Sequence, residues 1–224
     1  MPKKSNILPE NVSIANGIID LRASTPMFLD VRGALAQELI SAYDEVVAGP
    51  GNSLTSSENF EVRHEKSGAR GAVGLNGRSF LADNVSDTDA FLSQATAFFR
   101  IIEKHVPVRE FARVGVRYRF EVPTEMTNSA LILHVKALQE LDLSGSVQGL
   151  LVTASEVLFV RPTESWNCTV RVQANLVEQP DARKSTYVDI DQFQDNVPEL
   201  SLKAARFLDR FPDSLDVFRQ LTQV

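Results

Sequence analysis

Three arginines alternate with apolar residues in the stretch REFARVGVRYRFEVP, residues 109–123. Arg113, Arg117 and Arg119 occupy odd positions together with Phe111, Gly115 and Glu121, whereas every even position from 112 to 122 is apolar. Successive side chains of a β-strand point to opposite faces, so this segment predicts a strand with one arginine-rich face and one apolar face. Side chains two positions apart lie about 6.6 Å from each other. Arg117 and Arg119 could therefore bind one phosphate or carboxylate between them.

Two later segments show the same alternation. Residues 166–177 place Arg171 opposite a run of apolar side chains, and residues 184–191 place Asp189 and Asp191 opposite Val188 and Ile190. This pattern is typical of an antiparallel sheet with one polar face. The polar face supplies the candidate ligand- or partner-binding residues, namely Arg113, Arg117, Arg119, Arg171, Asp189 and Asp191.

The polar face has two interpretations. The arginines could pair with the aspartates and only keep the surface soluble, an arrangement in which each exposed pair contributes about 0–1 kcal/mol. Alternatively, the arginines could bind a ligand or a partner. Charged strand faces are common in soluble proteins, which favours the first interpretation.

The sequence predicts no catalytic residue, no metal site and no cofactor. The three histidines are scattered and Cys168 is the only cysteine, so zinc-ligand spacing is absent. Asp189, Asp191 and Asp195 match three positions of a calcium loop, but Gln194 and Leu200 stand where glycine and glutamate are required. An enzyme remains an alternative, with Asp189 and Asp191 as its only plausible acids.

Nucleotide or nucleic-acid binding is a further alternative. Lys104, His105 and Arg109 add to the local density of positive charge near the arginine strand. Tyr118 and Phe120, however, fall on the face opposite the arginines, whereas a stacking surface needs both residue types on one side. The net charge of −6 also argues against a polyanion as the default partner.

Composition favours a cytoplasmic protein with no membrane segment. The chain has 224 residues, 43% of them hydrophobic, and no apolar run near the roughly 20 residues needed to cross a bilayer. A single cysteine cannot form an intramolecular disulfide, which favours a reducing compartment.

Hydrophobic periodicity and turn residues predict the strands and helices of the first half. These are a strand at 12–22, a helix at 26–47, a polar loop at 48–59, three strands at 60–66, 69–75 and 78–83, and a helix at 88–105. The apolar stripe of the first helix includes Ile40 and Val47, and the turns between the three strands are Ser67-Gly68 and Asn76-Gly77.

The second half repeats that order. We expect a strand at 111–122, a helix at 127–141, and strands near 148–161, 166–177 and 184–191. A final helix should begin at Ser201, break at Pro212 and resume at residues 213–221. The predicted fold is α+β, with about eight antiparallel strands and about four helices on one face. Residues 1–108 and 109–224 would be two lobes of an internal β-α-β-β-β-α duplication, which could form one continuous domain.

Two short motifs resemble a sporadically distributed family of bacterial proteins of unknown activity. One is a strand of the form R-x-G-[LV]-R-Y, matched from Arg113 to Tyr118, and the other is a late D-I-D-x-F strand, matched from Asp189 to Phe193. The patchy distribution of that family implies an accessory or defence-associated role in bacteria.

The sequence therefore favours a non-catalytic cytosolic binding or assembly protein. Its polar sheet face would meet a protein partner or a second copy of the chain. The alternatives are an anion-recognising module for nucleotide or nucleic acid, and an enzyme.

Overall fold

The structure is a computed structural model. It describes residues 8–23, 28–48, 60–64, 68–123, 154–161, 166–175, 185–199 and 207–222. The predicted helix at 127–141 and all but the first residue of the predicted loop at 48–59 lie outside the described residues.

The described chain forms nine strands and three helices. In chain order they are β1 (Ser13–Arg22), α1 (Phe28–Ala42), β2 (Glu45–Ala48), β3 (Phe60–His64), β4 (Ala69–Gly74), β5 (Gly77–Asp83), α2 (Thr88–His105), β6 (Glu110–Pro123), β7 (Ala154–Arg161), β8 (Asn167–Asn175), β9 (Ser185–Pro198) and α3 (Phe211–Leu221). The strands form one sheet in the order β2-β3-β4-β5-β1-β6-β9-β8-β7. The predicted α+β class with an antiparallel sheet is confirmed.

The predicted three-strand meander is confirmed as β3, β4 and β5. Gly68 precedes β4 with φ of +64°, and Gly77 opens β5 with φ of +135°. A side chain is strained in this left-handed region, which explains why glycine occupies both turns. The predicted helix at 88–105 is also confirmed, and Asp87 caps it by accepting a hydrogen bond from Ala90 N at 2.9 Å.

The first helix is shorter than predicted. α1 ends at Ala42, and residues 45–48 form β2, which pairs antiparallel with β3. Val46 and Val47 are β-branched and follow Asp44, so strand pairing overrides the four-residue apolar repeat that suggested a longer helix. Ile40, expected on the buried stripe, is 63% exposed.

Residues 201–206 of the predicted final helix lie outside the described residues, and residues 207–210 are not helical. The helix predicted to resume at 213–221 is confirmed as α3, but it begins at Phe211, so that Pro212 lies in its first turn. Proline is tolerated there because the first N–H groups of a helix have no intrahelical partner. β9 also extends to Pro198, beyond the predicted end at 191.

The described chain divides into two compact units. Unit one consists of the described parts of Met1–Ala15, Tyr118–Gln192 and Phe211–Val224. Its core is aromatic: the Phe120 ring stacks on Phe218 at 4.6 Å between centroids, and Tyr118 meets Phe211 edge-on at 5.4 Å. Helix α3 thus covers the apolar side of β6 within this unit.

Unit two consists of the described parts of Asn16–Arg117 and Phe193–Arg210. Its core is centred on Phe98 of α2, whose ring lies 5.7 Å from that of Phe80 on β5. A Cβ at Gly71 would approach the Phe98 ring to 2.6 Å, so the absence of a side chain on β4 lets α2 pack closely.

None of the three described helices has the length and hydropathy that a bilayer crossing requires.

Candidate binding face

The arginines of β6 lie on the side of the strand away from its buried side chains. Val114, Val116, Tyr118, Phe120 and Val122 are each 0% exposed. Arg113, Arg117 and Arg119 are half-buried. The predicted alternation is therefore confirmed from Arg113 onward except at Gly115, which is buried. It results from burial of every second side chain in the core.

The alternation reverses at the start of β6. Phe111, expected on the polar face, is 0% exposed, whereas Ala112, expected on the apolar face, is exposed. The guanidinium carbon of Arg78 lies 5.0 Å from the centre of the Phe111 ring. Burying a phenyl ring removes far more apolar surface from water than burying a methyl group, so Phe111 takes the inward position.

In unit one, Arg119 is held by residues from two other strands. Its guanidinium carbon lies 4.2 Å from the centre of the Tyr187 ring of β9, and its Nη2 donates to Gln173 Oε1 of β8 at 3.3 Å. Tyr187 Oη in turn donates to Glu121 Oε1 at 3.4 Å. These four residues, Arg119, Glu121, Gln173 and Tyr187, are called the Arg119 cluster below.

Stacking fixes the guanidinium of Arg119 more than hydrogen bonding does. The Nε atom is buried and has no hydrogen-bond partner in the part of the chain that the structure describes. A cation over a tyrosine ring is stabilised by about 0.5–1 kcal/mol at an exposed site and by more where water is excluded. The side chain therefore has a defined orientation although its residue is only half-buried.

In unit two, Arg113 makes the corresponding contact. Its guanidinium carbon lies 3.7 Å from the centre of the Phe193 ring, near the end of β9. Arg117, four positions further along the same face of β6, is half-buried. Arg113 and Arg117 both have further interaction partners.

The aspartates of the polar face are less accessible than alternation suggests. Asp189 is only 7% exposed, and Asp191 is half-buried. Arg171 on β8 is exposed. Each of these three residues has an interaction partner within the protein.

Alternation along the predicted strands puts Tyr187 and Gln173 on the polar face, but sequence reasoning did not identify them as partners of Arg119. Phe193 shares strand parity with Asp189 and Asp191, so alternation along β9 could have placed it beside the arginines as well. Tyr118 and Phe120 point away from the arginines, as expected, and the aromatic residues that contact the arginines come from β9.

A second cationic group, Arg78, lies inside unit two. It is 7% exposed, and its Nε and Nη1 atoms have no hydrogen-bond partner within the described ranges. Burial lowers the pKa of Arg78 to about 10, against the opposing effect of the carboxylates of Glu103 and Glu199. Sequence reasoning assigned it no role, because an arginine at the start of an expected strand gives no sign of burial.

In the described part of the chain, no group of three or more histidine, cysteine, aspartate or glutamate side chains is placed to hold a metal ion.

Comparison with known proteins assigns no family. No family model matches the chain. No curated protein matches it either. Among solved structures, the chain is similar to Methanococcus jannaschii TBP, with 9% sequence identity over 91% of this chain and 99% of that chain. The TM-score is 0.34, which is too low to establish a common fold.

Proposed function

We propose that this chain is a non-catalytic binding protein and that a partner protein docks on the Arg119 cluster. The observation that carries the proposal is the stacking of Arg119 on Tyr187, 4.2 Å from guanidinium carbon to ring centre. Arginine and tyrosine are the residue types that, with tryptophan, contribute most to the free energy of binding at protein interfaces.

The contacts of Arg119 support a preformed binding surface. An arginine side chain that is ordered only on binding loses rotamer entropy worth about 0.5–1.5 kcal/mol. Here the Tyr187 ring and the Gln173 side-chain carbonyl hold the guanidinium in place. Part of that cost is therefore already met in the unbound protein, and a planar guanidinium held in this way can donate to an acceptor on the partner.

The charge balance favours a protein over a polyanion as the partner. In unit one, the two arginines of the polar face, Arg119 and Arg171, are accompanied by three carboxylates, those of Glu121, Asp189 and Asp191. Binding to a phosphate backbone depends on a clear excess of cations, because it is driven by the release of counterions. A face without an excess of cations and with an ordered tyrosine is typical of protein interfaces.

Affinity capture from the native host tests this proposal. The tagged wild-type chain and the variant Arg119→Ala would be compared by mass spectrometry of the captured proteins, with Arg100→Ala on α2 as an exposed-arginine control. We expect a partner that is recovered with wild type and with Arg100→Ala but lost with Arg119→Ala. Equal recovery with all three proteins would contradict the proposal, provided that the fluorescence of the buried Trp166 confirms folding.

A second candidate, binding of a nucleotide or nucleic acid, is favoured by one observation. Arg119 lies over the Tyr187 ring in unit one, and Arg113 lies over the Phe193 ring in unit two, so each unit combines an arginine with an aromatic ring, as base stacking requires. This function predicts a raised ratio of absorbance at 260 to 280 nm in the purified protein. It also predicts that Arg117→Ala and Arg119→Ala reduce that ratio and that salt releases the ligand. A purified protein that contains no bound nucleotide, and whose absorbance ratio does not change on nuclease treatment, would exclude this candidate.

We also infer that the fold arose by internal duplication. In the first half, the opening strand β1 neighbours the last strand β5; in the second half, the opening strand β6 neighbours the last strand β9. β1 and β6 are adjacent to each other at the junction. The same strand order on both sides of this junction supports two copies of one unit.

The cellular context proposed for this function is the bacterial cytoplasm, in an accessory or defence-associated role. The only cysteine, Cys168, is buried as a free thiol, which is compatible with a reducing compartment. The R-x-G-[LV]-R-Y and D-I-D-x-F motifs that suggest the accessory role contain Arg113 and Phe193, the two partners of the stacked pair in unit two.

A further inference from the structure

Helix α1 exposes apolar side chains beside the part that packs on the core. Leu29 is 49% exposed and Ile40 is 63% exposed, and these are the exposed large hydrophobic residues of the described chain. Phe28, Leu35 and Leu39, all 0% exposed, point in a direction about 110° around the helix from them. α1 therefore has exposed apolar side chains next to its buried stripe.

The exposed apolar residues form a single stripe. Leu29 and Ile40 are eleven positions apart, which is about three helical turns and about 16 Å along the axis, so they point in nearly the same direction. Gly33 and Ala36 lie between them on the same side of the helix. A Cβ at Gly33 would meet nothing within 4 Å, so the centre of the stripe is open. We call Leu29, Gly33, Ala36 and Ile40 the α1 stripe.

We propose that the α1 stripe is a self-association surface on which α1 of a second copy packs antiparallel. The order of side-chain sizes along the stripe, large–small–small–large, is the same read in either direction. An antiparallel second copy would therefore place its Ile40 against Leu29 and its Ala36 against Gly33, and the same pairs would form a second time. This self-complementarity is what a two-fold symmetric contact requires.

The small residues at the centre favour a helix as the occupant. Helices pack with their axes about 8–10 Å apart, and small side chains at the crossing point permit the lower distances. Leu29 and Ile40 would then each cover the other's apolar surface at the two ends. An unrelated partner would have no reason to match a profile that is symmetric about the middle of α1.

The size of the surface limits the strength of the pair. α1 has 15 residues and is about 22 Å long. A stable interface buries about 800 Å² on each partner, and one helix side of this length provides less than that. The proposal therefore predicts a monomer–dimer equilibrium that depends on protein concentration. It goes beyond the proposed function, because α1 carries no residue of the polar face.

Sedimentation velocity of the full chain over a range from low micromolar to several hundred micromolar tests the proposal. For wild type, the average mass should rise with concentration from the monomer mass of 24.8 kDa toward twice that value. Leu29→Lys and Ile40→Glu should each raise the dissociation constant of the dimer by about tenfold or more, because each buries an unpaired charge.

The double variant Leu29→Lys/Ile40→Glu distinguishes antiparallel pairing of α1 from association through any different surface. In the antiparallel dimer the new cation of one copy faces the new carboxylate of the other, so dimerisation should recover. Within one copy the two positions are about 16 Å apart and cannot compensate each other. Ser93→Glu, at an exposed position of α2, is the matched control and should dimerise like wild type.

Three results would overturn the proposal: a constant mass of 24.8 kDa for wild type at all concentrations, an unchanged dimer in both single variants, or no recovery in the double variant. Circular dichroism of each variant would verify folding, which substitution of half-exposed side chains should leave intact. Arg119→Ala should dimerise normally, so a failure of the proposed partner binding and a failure of self-association give different results.

Discussion

The guanidinium carbon of Arg119 lies 4.2 Å from the centre of the Tyr187 ring, and Tyr187 in turn donates a hydrogen bond to Glu121. A cation, a ring and a carboxylate from two neighbouring strands are thus linked on one face of unit one. The arrangement orders an arginine and a tyrosine that would otherwise be mobile on a sheet surface.

The stacked pair should be detectable as a coupling energy in folding. A double-mutant cycle with Arg119→Ala and Tyr187→Ala, measured by urea unfolding, should give about 0.5–1 kcal/mol between the two side chains. The fluorescence of Trp166 reports unfolding, because this single tryptophan is buried in unit one. A coupling energy of zero would mean that Arg119 is not held by the ring.

Two substitutions of the buried Arg78 should separate the packing of its side chain from the cost of burying its charge. Arg78→Ala should lower the free energy of unfolding by about 2–4 kcal/mol, because it leaves a cavity against Phe111. Arg78→Met should cost less than about 1 kcal/mol, because it keeps much of the packing and removes a cation whose pKa is lowered to about 10 by burial.

Urea unfolding followed by circular dichroism measures both effects of Arg78. Arg70→Ala is the control, since Arg70 is exposed and pairs with Asp83 at 2.8 Å, a contact worth at most about 1 kcal/mol. If Arg78→Met were as destabilising as Arg78→Ala, the charge itself would be stabilising, and the carboxylates of Glu103 and Glu199 would outweigh the cost of burial.

Glu38 links α1 to α2 and should make stability depend on pH in acid. Its carboxylate accepts hydrogen bonds from Lys104 Nζ at 2.5 Å and from His105 Nε2 at 2.7 Å. These contacts, that of Lys104 first, lower the pKa of Glu38 below 4.5. A carboxylate with a lowered pKa in the folded state adds stability above its unfolded pKa and loses it as the pH falls through the folded value.

Thermal melts of wild type and Glu38→Gln between pH 3 and pH 7 would measure this contribution. Wild type should melt higher at neutral pH, and the difference should shrink below about pH 4.5, where the unfolded-state carboxylate is protonated. Glu110→Gln, at an exposed position, is the control variant. A difference between wild type and Glu38→Gln that is independent of pH would contradict the assignment.

The turn at Gly77 should tolerate no side chain. Gly77 has φ of +135°, and a Cβ there would collide with the carbonyl oxygen of Leu21. Gly77→Ala should therefore destabilise the protein by more than about 2 kcal/mol. Gly68→Asn is the matched substitution, because Gly68 has φ of +64° and open space around it, and asparagine accepts that conformation. Similar urea midpoints for the two variants would contradict this account.

Much of the fold follows from local patterns. Ser67-Gly68 and Asn76-Gly77 predict the β3–β4–β5 meander, and a capping residue among Ser86, Asp87 and Thr88 predicts the start of α2. Both predictions succeed because turn and cap chemistry involves residues close in sequence. The boundary of α1 does not follow, since β2 depends on pairing with β3 across a segment of the chain. Tertiary pairing of this kind overrides local periodicity.

The sequence predicts which face of β6 carries Arg119, but it does not predict which residues Arg119 contacts. Alternation places Arg119 on the polar face, because burial of Tyr118 and Phe120 determines which side of the strand faces the core. Contact with Tyr187 requires knowledge that β6 and β9 are neighbours, which no spacing in the sequence reveals. The reversal at Phe111 is equally non-local, since it depends on Arg78 from β5.

The affinity of a captured protein partner for the wild-type chain and for Arg119→Ala is the most direct test of the central claim. Isothermal titration calorimetry with the purified partner should give a dissociation constant at least about 30-fold higher for Arg119→Ala, which corresponds to about 2 kcal/mol. Arg119→Lys should also bind weakly, because an ammonium group does not stack on Tyr187 as a planar guanidinium does. Unchanged affinity in both variants would contradict the account.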